Sequence, residues 1–308
     1  MRNPVVALCV VLAAAAGSGL QATAAPPVML SPCGQGRHSD DWDERRLTES
    51  DTEEIRRTFA GGARPLQVLV DNLSGSIEVA GHDADRVELV ARRTNRARSA
   101  AKLQEAEREV RLEIEESPGL VRLVVEGPQS RHDGCIQDEG VRTYGYRVDI
   151  DFELIVPRHA EVTLRTVNDG DIRVTGVYGG YDVNNINGGA EMIDVGGSGR
   201  VYALNGEVRV TFARNPTEKS YFGSLNGDVE VEFGRDLAAE LRFQTFNGEV
   251  YSDFEVTAAA GEPPMRDRHS GKNVYRAGKT FGVRVGRSGP RLEFDAFNGD
   301  IRIVKRER

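Results

Sequence analysis

Five acidic residues, Asp171, Glu207, Asp228, Glu249 and Asp300, each directly follow a glycine of a recurring corner. Carboxylates repeated at one register could align as an oxygen-rich row for calcium. They could also work as acid/base pairs on a polysaccharide. Calcium-binding β-rolls, however, use a nine-residue Gly-Gly-x-Gly-x-Asp repeat, which this chain lacks, and Arg173, Arg209 and Arg302 stand two residues further on to offset the charge. A row that simply repeats is what corner geometry and solubility produce, so these residues read as solvated structural charge. The five histidines, His38, His82, His132, His159 and His269, share no recurring site. There is no Gly-x-Ser-x-Gly elbow. Ala277-Gly278-Lys279-Thr280 has Asn273 where a phosphate loop needs glycine. The expectation is a non-enzymatic chain with no catalytic, cofactor-binding or metal residues.

Two further sets could do chemistry. Cys33 and Cys135 would form a disulfide in an oxidising compartment; with His38 and His132 they could instead hold zinc, although the spacing matches no zinc module. Tyr178, Tyr181, Tyr202, Tyr221 and Tyr251 lie in or beside the repeats. They could form an aromatic surface for sugar stacking or protein contact, or be ordinary half-buried strand residues.

The compartment follows from the amino terminus. Arg2 precedes an apolar stretch over 5–16, and the small residues Ala22-Thr23-Ala24 follow, which is the pattern of a signal peptide spanning 1–24. The apolar stretch is shorter than the roughly 20 residues of a spanning helix, so no transmembrane span is expected after cleavage. Cys9 lies inside the stretch and matches a lipid-attachment site poorly. The expected location is periplasm, outer envelope surface or extracellular. Net charge is −8 with no long charged tail, which does not imply nucleic acid. The basic run Arg92-Arg93-Thr94-Asn95-Arg96-Ala97-Arg98 reads as a solvated helix entrance.

What must position these residues is an internal repeat. Its corners are Asn168-Asp169-Gly170, Asn187-Gly188, Asn205-Gly206, Asn226-Gly227, Asn247-Gly248 and Asn298-Gly299, with Ser74-Gly75 as a variant; successive glycines are 18, 18, 21, 21 and 51 residues apart. Four residues before each Asn from the second corner onward stand Val183, Val201, Phe222, Phe243 and Phe294. Two before stand the smaller Asn185, Ala203, Ser224, Thr245 and Ala296. Three and five after stand pairs such as Val208 and Val210. Period-2 alternation on both sides of the corner predicts two strands meeting at a bend. Asn and Gly both tolerate positive φ and suit such a bend. Even spacing then favours stacked coils over hairpins. Coils about 4.8 Å apart would let the Asn amides form a ladder, bonded to one another or to corner backbone.

The predicted fold is all-β: a single-stranded β-helix or β-solenoid with coils of 18–21 residues, high in glycine (34 residues) and low in aromatics (6%). One short amphipathic helix is expected over 98–108, with Ala100, Leu103 and Ala106 on its apolar stripe. Residues 25–60 read as a polar amino-terminal segment and 61–304 as the solenoid domain. The segment 258–278 interrupts the repeat. Residues 281–285 and 291–296 read as a closing hairpin, and 305–308 as charge guarding the last edge.

The strand end Leu154-Ile155-Val156-Pro157 and the following Leu164-Arg165-Thr166-Val167-Asn168-Asp169-Gly170-Asp171-Ile172-Arg173-Val174, with the signal peptide, resemble a bacterial putative-adhesin domain family over about 66–304. The resemblance implies a β-solenoid with no catalytic residues and an adhesive or binding role for an envelope component, a glycan or a protein. The alternatives are a carbohydrate-active β-helix enzyme and a structural module that self-assembles in the envelope.

Overall fold

The computed structural model describes residues 47–61, 65–128, 145–258, 265–269, 272–276 and 280–307. The amino-terminal part consists of strands β1 (Glu49–Ala60), β2 (Gln67–Asp71), β3 (Ile77–His82) and β4 (Arg86–Ala97), helix α1 (Ala100–Glu109), and strands β5 (Arg111–Ser117), β6 (Leu120–Glu126) and β7 (Tyr146–Pro157). The repeats supply β8 (Glu161–Thr166), β9 (Ile172–Thr175), β10 (Tyr181–Asn185), β11 (Ala190–Val195), β12 (Gly199–Ala203), β13 (Val208–Phe212), β14 (Ser220–Asn226), β15 (Val229–Phe233), β16 (Ala239–Asn247) and β17 (Val250–Ser252). The chain ends with β18 (Thr257–Ala258), β19 (Met265–His269), β20 (Lys272–Arg276), β21 (Thr280–Val285), β22 (Arg291–Asn298) and β23 (Ile301–Lys305).

These strands make two open sheets, one of 12 strands and one of 11, and within the repeats each strand joins the sheet its predecessor did not. Thus β8, β10, β12 and β14 are parallel neighbours in the smaller sheet, and β9, β11, β13 and β15 in the larger. Register follows the hydrophobic pattern, because a one-residue slip would turn the apolar set outward. Leu164, Val183, Val201 and Phe222 align across the smaller sheet; Val174, Met192, Val210 and Val231 align across the larger. All eight are buried. Each such side chain removed from water contributes roughly 1.5–3 kcal/mol before entropy is charged against it.

The final repeat does not follow the sequence order. Strand β22 lies between β14 and β16, and β23 between β15 and β17. Phe294 accordingly stacks between Phe222 (centroids 5.4 Å) and Phe243 (5.2 Å). The expected closing hairpin is absent: β21 pairs antiparallel with β16 on its far side, and β22 with β14 and β16. To pass from one side of β16 to the other, the chain crosses its start. There Gly286 takes φ +67°, and a Cβ on Gly289 would come within 1.6 Å of the Ala238 carbonyl oxygen. The end of the chain therefore borders an interior strand, so 305–307 guards no sheet edge.

Two amino-terminal expectations also change. Residues 49–60, assigned by sequence to the polar segment, form a strand paired antiparallel with β4 along its whole length. Helix α1 begins at Ala100, after Ser99, whose hydroxyl accepts from the Lys102 N–H at 3.4 Å as a cap. Its buried stripe is narrower than expected: Ala106 is buried and Leu103 partly so, but Ala100 is exposed. The helix is pinned by Arg93, whose Nη2 donates to the Ala106 carbonyl at 3.0 Å.

Candidate functional site

The six corner asparagines form one continuous chain of hydrogen bonds. Asn187 Nδ2 donates to Asn168 Oδ1 (3.0 Å), Asn205 to Asn187 (2.9 Å), Asn226 to Asn205 (2.8 Å), Asn298 to Asn226 (2.8 Å) and Asn247 to Asn298 (2.8 Å). An amide suits this position because each side chain both donates and accepts along the stack. Burial is not the reason for Asn, since all but the half-buried Asn168 are exposed.

The glycines beside them have a different cause from the one the sequence suggested. Gly170, Gly188, Gly206, Gly227, Gly248 and Gly299 all lie outside the left-handed region. A Cβ on Gly206 would instead lie 2.2 Å from the Gly188 carbonyl oxygen, one on Gly227 2.2 Å from that of Gly206, and one on Gly299 2.1 Å from that of Gly227. Backbone stacks on backbone there. Positive φ occurs instead at Gly75 (+112°) and Asp169 (+49°) of the two variant corners, and at Gly176 (+67°), Asp194 (+50°) and Gly197 (+72°) in the second corner. Just inside the Asn ladder, small polar side chains tie down the same glycine carbonyls: Thr166 Oγ1 to Gly75 (2.9 Å), Asn185 Nδ2 to Gly170 (2.8 Å) and Ser224 Oγ to Gly206 (2.8 Å).

The acidic row is committed to the same stacking. Asp171 Oδ1 accepts from the Gly189 N–H (2.7 Å), Asp228 Oδ1 from that of Asp300 (2.9 Å), and Asp300 Oδ1 from that of Glu249 (3.0 Å). Arg302 bridges Asp228 (2.5 Å) and Asp300 (3.0 Å), and Arg209 reaches Glu207 (3.2 Å). Burial pushes the Asp228 carboxyl up; the Asp300 N–H and the Arg302 guanidinium outweigh it and hold it below the usual carboxylate range. Carboxylates occupied in this way are structural. No group of three or more His, Cys, Asp or Glu among the described residues is arranged to hold a metal.

The tyrosines do not form one surface. Tyr181 is 5% exposed, and burial raises its phenol pKa, so it belongs to the core. Tyr178 lies in the turn after β9, against His159, Arg158 and Arg214. Tyr251 is on the larger sheet, bonded to Glu249 at 2.7 Å. Tyr202 and Tyr221 share one neighbour on the outer face of the smaller sheet, where the Arg200 guanidinium lies 5.0 Å from one ring centroid and 5.4 Å from the other. The Tyr221 hydroxyl donates to Asp295 Oδ2 at 3.3 Å. Burial raises the Asp295 carboxyl, with the Tyr221 hydrogen bond opposing, and burial followed by the nearby Asp295 charge raises the Tyr221 phenol.

Gly223 makes this cluster. It stands in register between Tyr202 and Asp295, and a Cβ there would meet the Tyr221 hydroxyl at 2.5 Å. With no side chain, it leaves a shallow seat in which Tyr221 lies across the sheet toward Asp295. Arg200, Gly223 and Asp295 were not singled out from sequence. The available signal was a glycine in the middle of a strand, and Asp295 is brought alongside only by the displaced last repeat.

A cleft of about 520 Å³ between the β13–β14 turn and Ser288-Gly289-Pro290 has a mixed polar and apolar lining, and its Asn215 and Asp236 side chains bond to one another at 3.0 Å. The Cys33–Cys135 pairing, the signal peptide, His38 and His132 lie outside the described residues. No helix among the described residues is long and apolar enough to cross a membrane.

No family model and no curated protein matches the chain. Among solved structures, it is similar to a putative cell adhesion protein from Clostridium sporogenes, at 11% identity and TM-score 0.41, over 83% of this chain and 100% of the other. It is similar to a putative adhesin from Bacteroides fragilis, at 7% identity and TM-score 0.36, over 82% and 97%. It is also similar to a putative lipid binding protein from Parabacteroides distasonis, at 11% identity and TM-score 0.27, over 83% and 97%. At these identities and scores no ligand or activity passes from them to this chain.

Proposed function

We propose that the chain is an exported β-solenoid, with its solenoid domain over 61–304, that works without catalysis as an adhesin-like binding scaffold of the cell envelope. Its binding face is the outer surface of the smaller sheet. The observation that carries this reading is the cluster of Arg200, Tyr202, Tyr221 and Asp295, where two half-buried rings are held by a shared guanidinium beside a carboxylate. Flat rings next to fixed polar groups suit a sugar ring, which offers an apolar C–H face and a rim of hydroxyls. The corner ladder supports a scaffold role, because it uses its polar atoms to hold coils together and leaves the sheet face free to vary.

The test is a glycan array and an envelope extract probed with the exported chain and with Y202A and Y221A. Capture by the native chain, with about fivefold or greater loss in each variant, is expected, since a stacking contact is worth roughly 1–3 kcal/mol when the ring is removed. Undiminished capture by both variants would move the binding face elsewhere. Release of shortened glycan by the native chain would replace binding with hydrolysis or elimination.

A further inference from the structure

Strand β1 ends the larger sheet. Among the described residues its only partner is β4, so the backbone groups on its other edge are open to a further strand. Ten of its twelve residues are exposed. Such an edge is a hazard unless its side chains block it or select what may pair with it.

The charges on β1 are arranged to select. Glu53-Glu54-Ile55-Arg56-Arg57 places two acids and two bases symmetrically about Ile55. In an antiparallel pair centred on Ile55, Glu54 of one copy faces Arg56 of the other and Glu53 faces Arg57, giving four opposite-charge contacts across the two-fold axis. Opposed residues keep the same parity, so Ile55 and Phe59, which turn toward the core side in each copy, stay on one face of the joined sheet. A two-residue slip sets Glu54 on Glu54 or Arg56 on Arg56. Parallel pairing in register sets like on like along the strand. Both are disfavoured, because like charges directly opposed destabilise a pair. Guarding an edge would need only one sign of charge; two blocks of opposite sign permit one arrangement and oppose the rest.

We propose that β1 is a self-recognition strand through which two copies of this chain join their larger sheets edge to edge in antiparallel register about Ile55. Such an interface is isologous, as a two-fold dimer requires, and draws its affinity from main-chain hydrogen bonds and its register from charge. It is independent of the sugar-binding reading, whose residues lie on the other sheet.

The test uses sedimentation equilibrium of the exported chain, with E54R, R56E and the exchange variant E54R/R56E. Glu54 and Arg56 are chosen because both are exposed, bonded to each other at 2.6 Å and, for Glu54, to the exposed Arg92 at 3.4 Å, whereas Glu53 faces the largely buried Arg93. The native chain is expected to dimerise with concentration, more weakly as salt rises. E54R and R56E alone should each self-associate about tenfold more weakly, since each turns two attractive contacts repulsive. An equimolar mixture of the two should dimerise again, and the exchange variant should dimerise like the native chain. A native chain that stays monomeric to its solubility limit overturns the proposal, as does a dimer unchanged in both single variants. Loss in both without recovery in the mixture or the exchange variant assigns the effect to damage of β1 and also overturns it.

Discussion

At the residue scale, the corner glycines and the acids beside them make opposite demands on the chain. The glycine is required by the neighbouring repeat, not by its own dihedral angles. Gly206→Ala places a methyl 2.2 Å from the Gly188 carbonyl oxygen, and neither backbone can yield without breaking ladder bonds. The expected loss is about 1–3 kcal/mol or more, read as a fall in the urea midpoint at unchanged slope. Asp228 acts through pH. Its carboxyl is held low in the folded chain, so its stabilisation is present above the ordinary aspartate range and is lost as pH falls through the folded value. Asp295, raised by burial, has the opposite sign: its preference for the folded state is present in acid and lost as pH rises through the folded value. Asp228→Asn should therefore lower Tm near neutrality and flatten the acid limb of Tm against pH, with the two curves converging below pH ~4. Curves that stay parallel into acid would show that the Arg302 and Asp300 contacts are not linked to folding.

At the element scale, the strength of the repeats lies in columns that single strands cannot provide. Phe294 is 1% exposed and stacked on both sides, whereas Phe297, three residues on, is 44% exposed and stacks on Phe246 at 4.9 Å. Phe294→Ala should cost about 3–5 kcal/mol; Phe297→Ala should cost at most about 1.5 kcal/mol. Comparable losses in equilibrium denaturation would mean that the exposed pair is covered in solution. The same contrast shows what could be read in the sequence. Alternation marks β8 to β17 clearly, because one face of each is apolar and its register is forced by burial. It cannot mark β1, whose exposed side chains alternate nothing and whose strand state is imposed by pairing with β4. It suggested positive φ for the Asn-Gly corners, since that is what the dipeptide does in isolation, whereas the true constraint is a neighbour 18 to 72 residues away. The Tyr221 seat was hidden for the same reason: Gly223 is visible, but Asp295 comes beside it only through a stacking order that no local pattern records.

At the scale of the whole molecule, that order is the least expected feature. The repeats from Asn168 to Asn226 stack as they are spelled, and the Asn247 repeat, 21 residues on, could have stacked next with Phe243 on Phe222 and Asn247 on Asn226. The Asn298 repeat stands between them instead. Because its residues repeat the column types of its neighbours, the stack with it and the stack without it satisfy the same rules, and nearest-neighbour contacts decide between them. Removing residues 287–308 therefore tests whether the Asn247 repeat depends on its inserted neighbour. Since the columns match, the shortened chain is expected to fold with one repeat fewer, β16 pairing directly with β14, at a lower Tm. Amide hydrogen exchange would show this as retained protection at Leu241 and Phe243. Loss of protection from 239 to 252, with β8 to β15 intact, would mean that the last repeat is an obligatory wedge and that the crossing at Gly286 and Gly289 must form before the preceding repeat is stable.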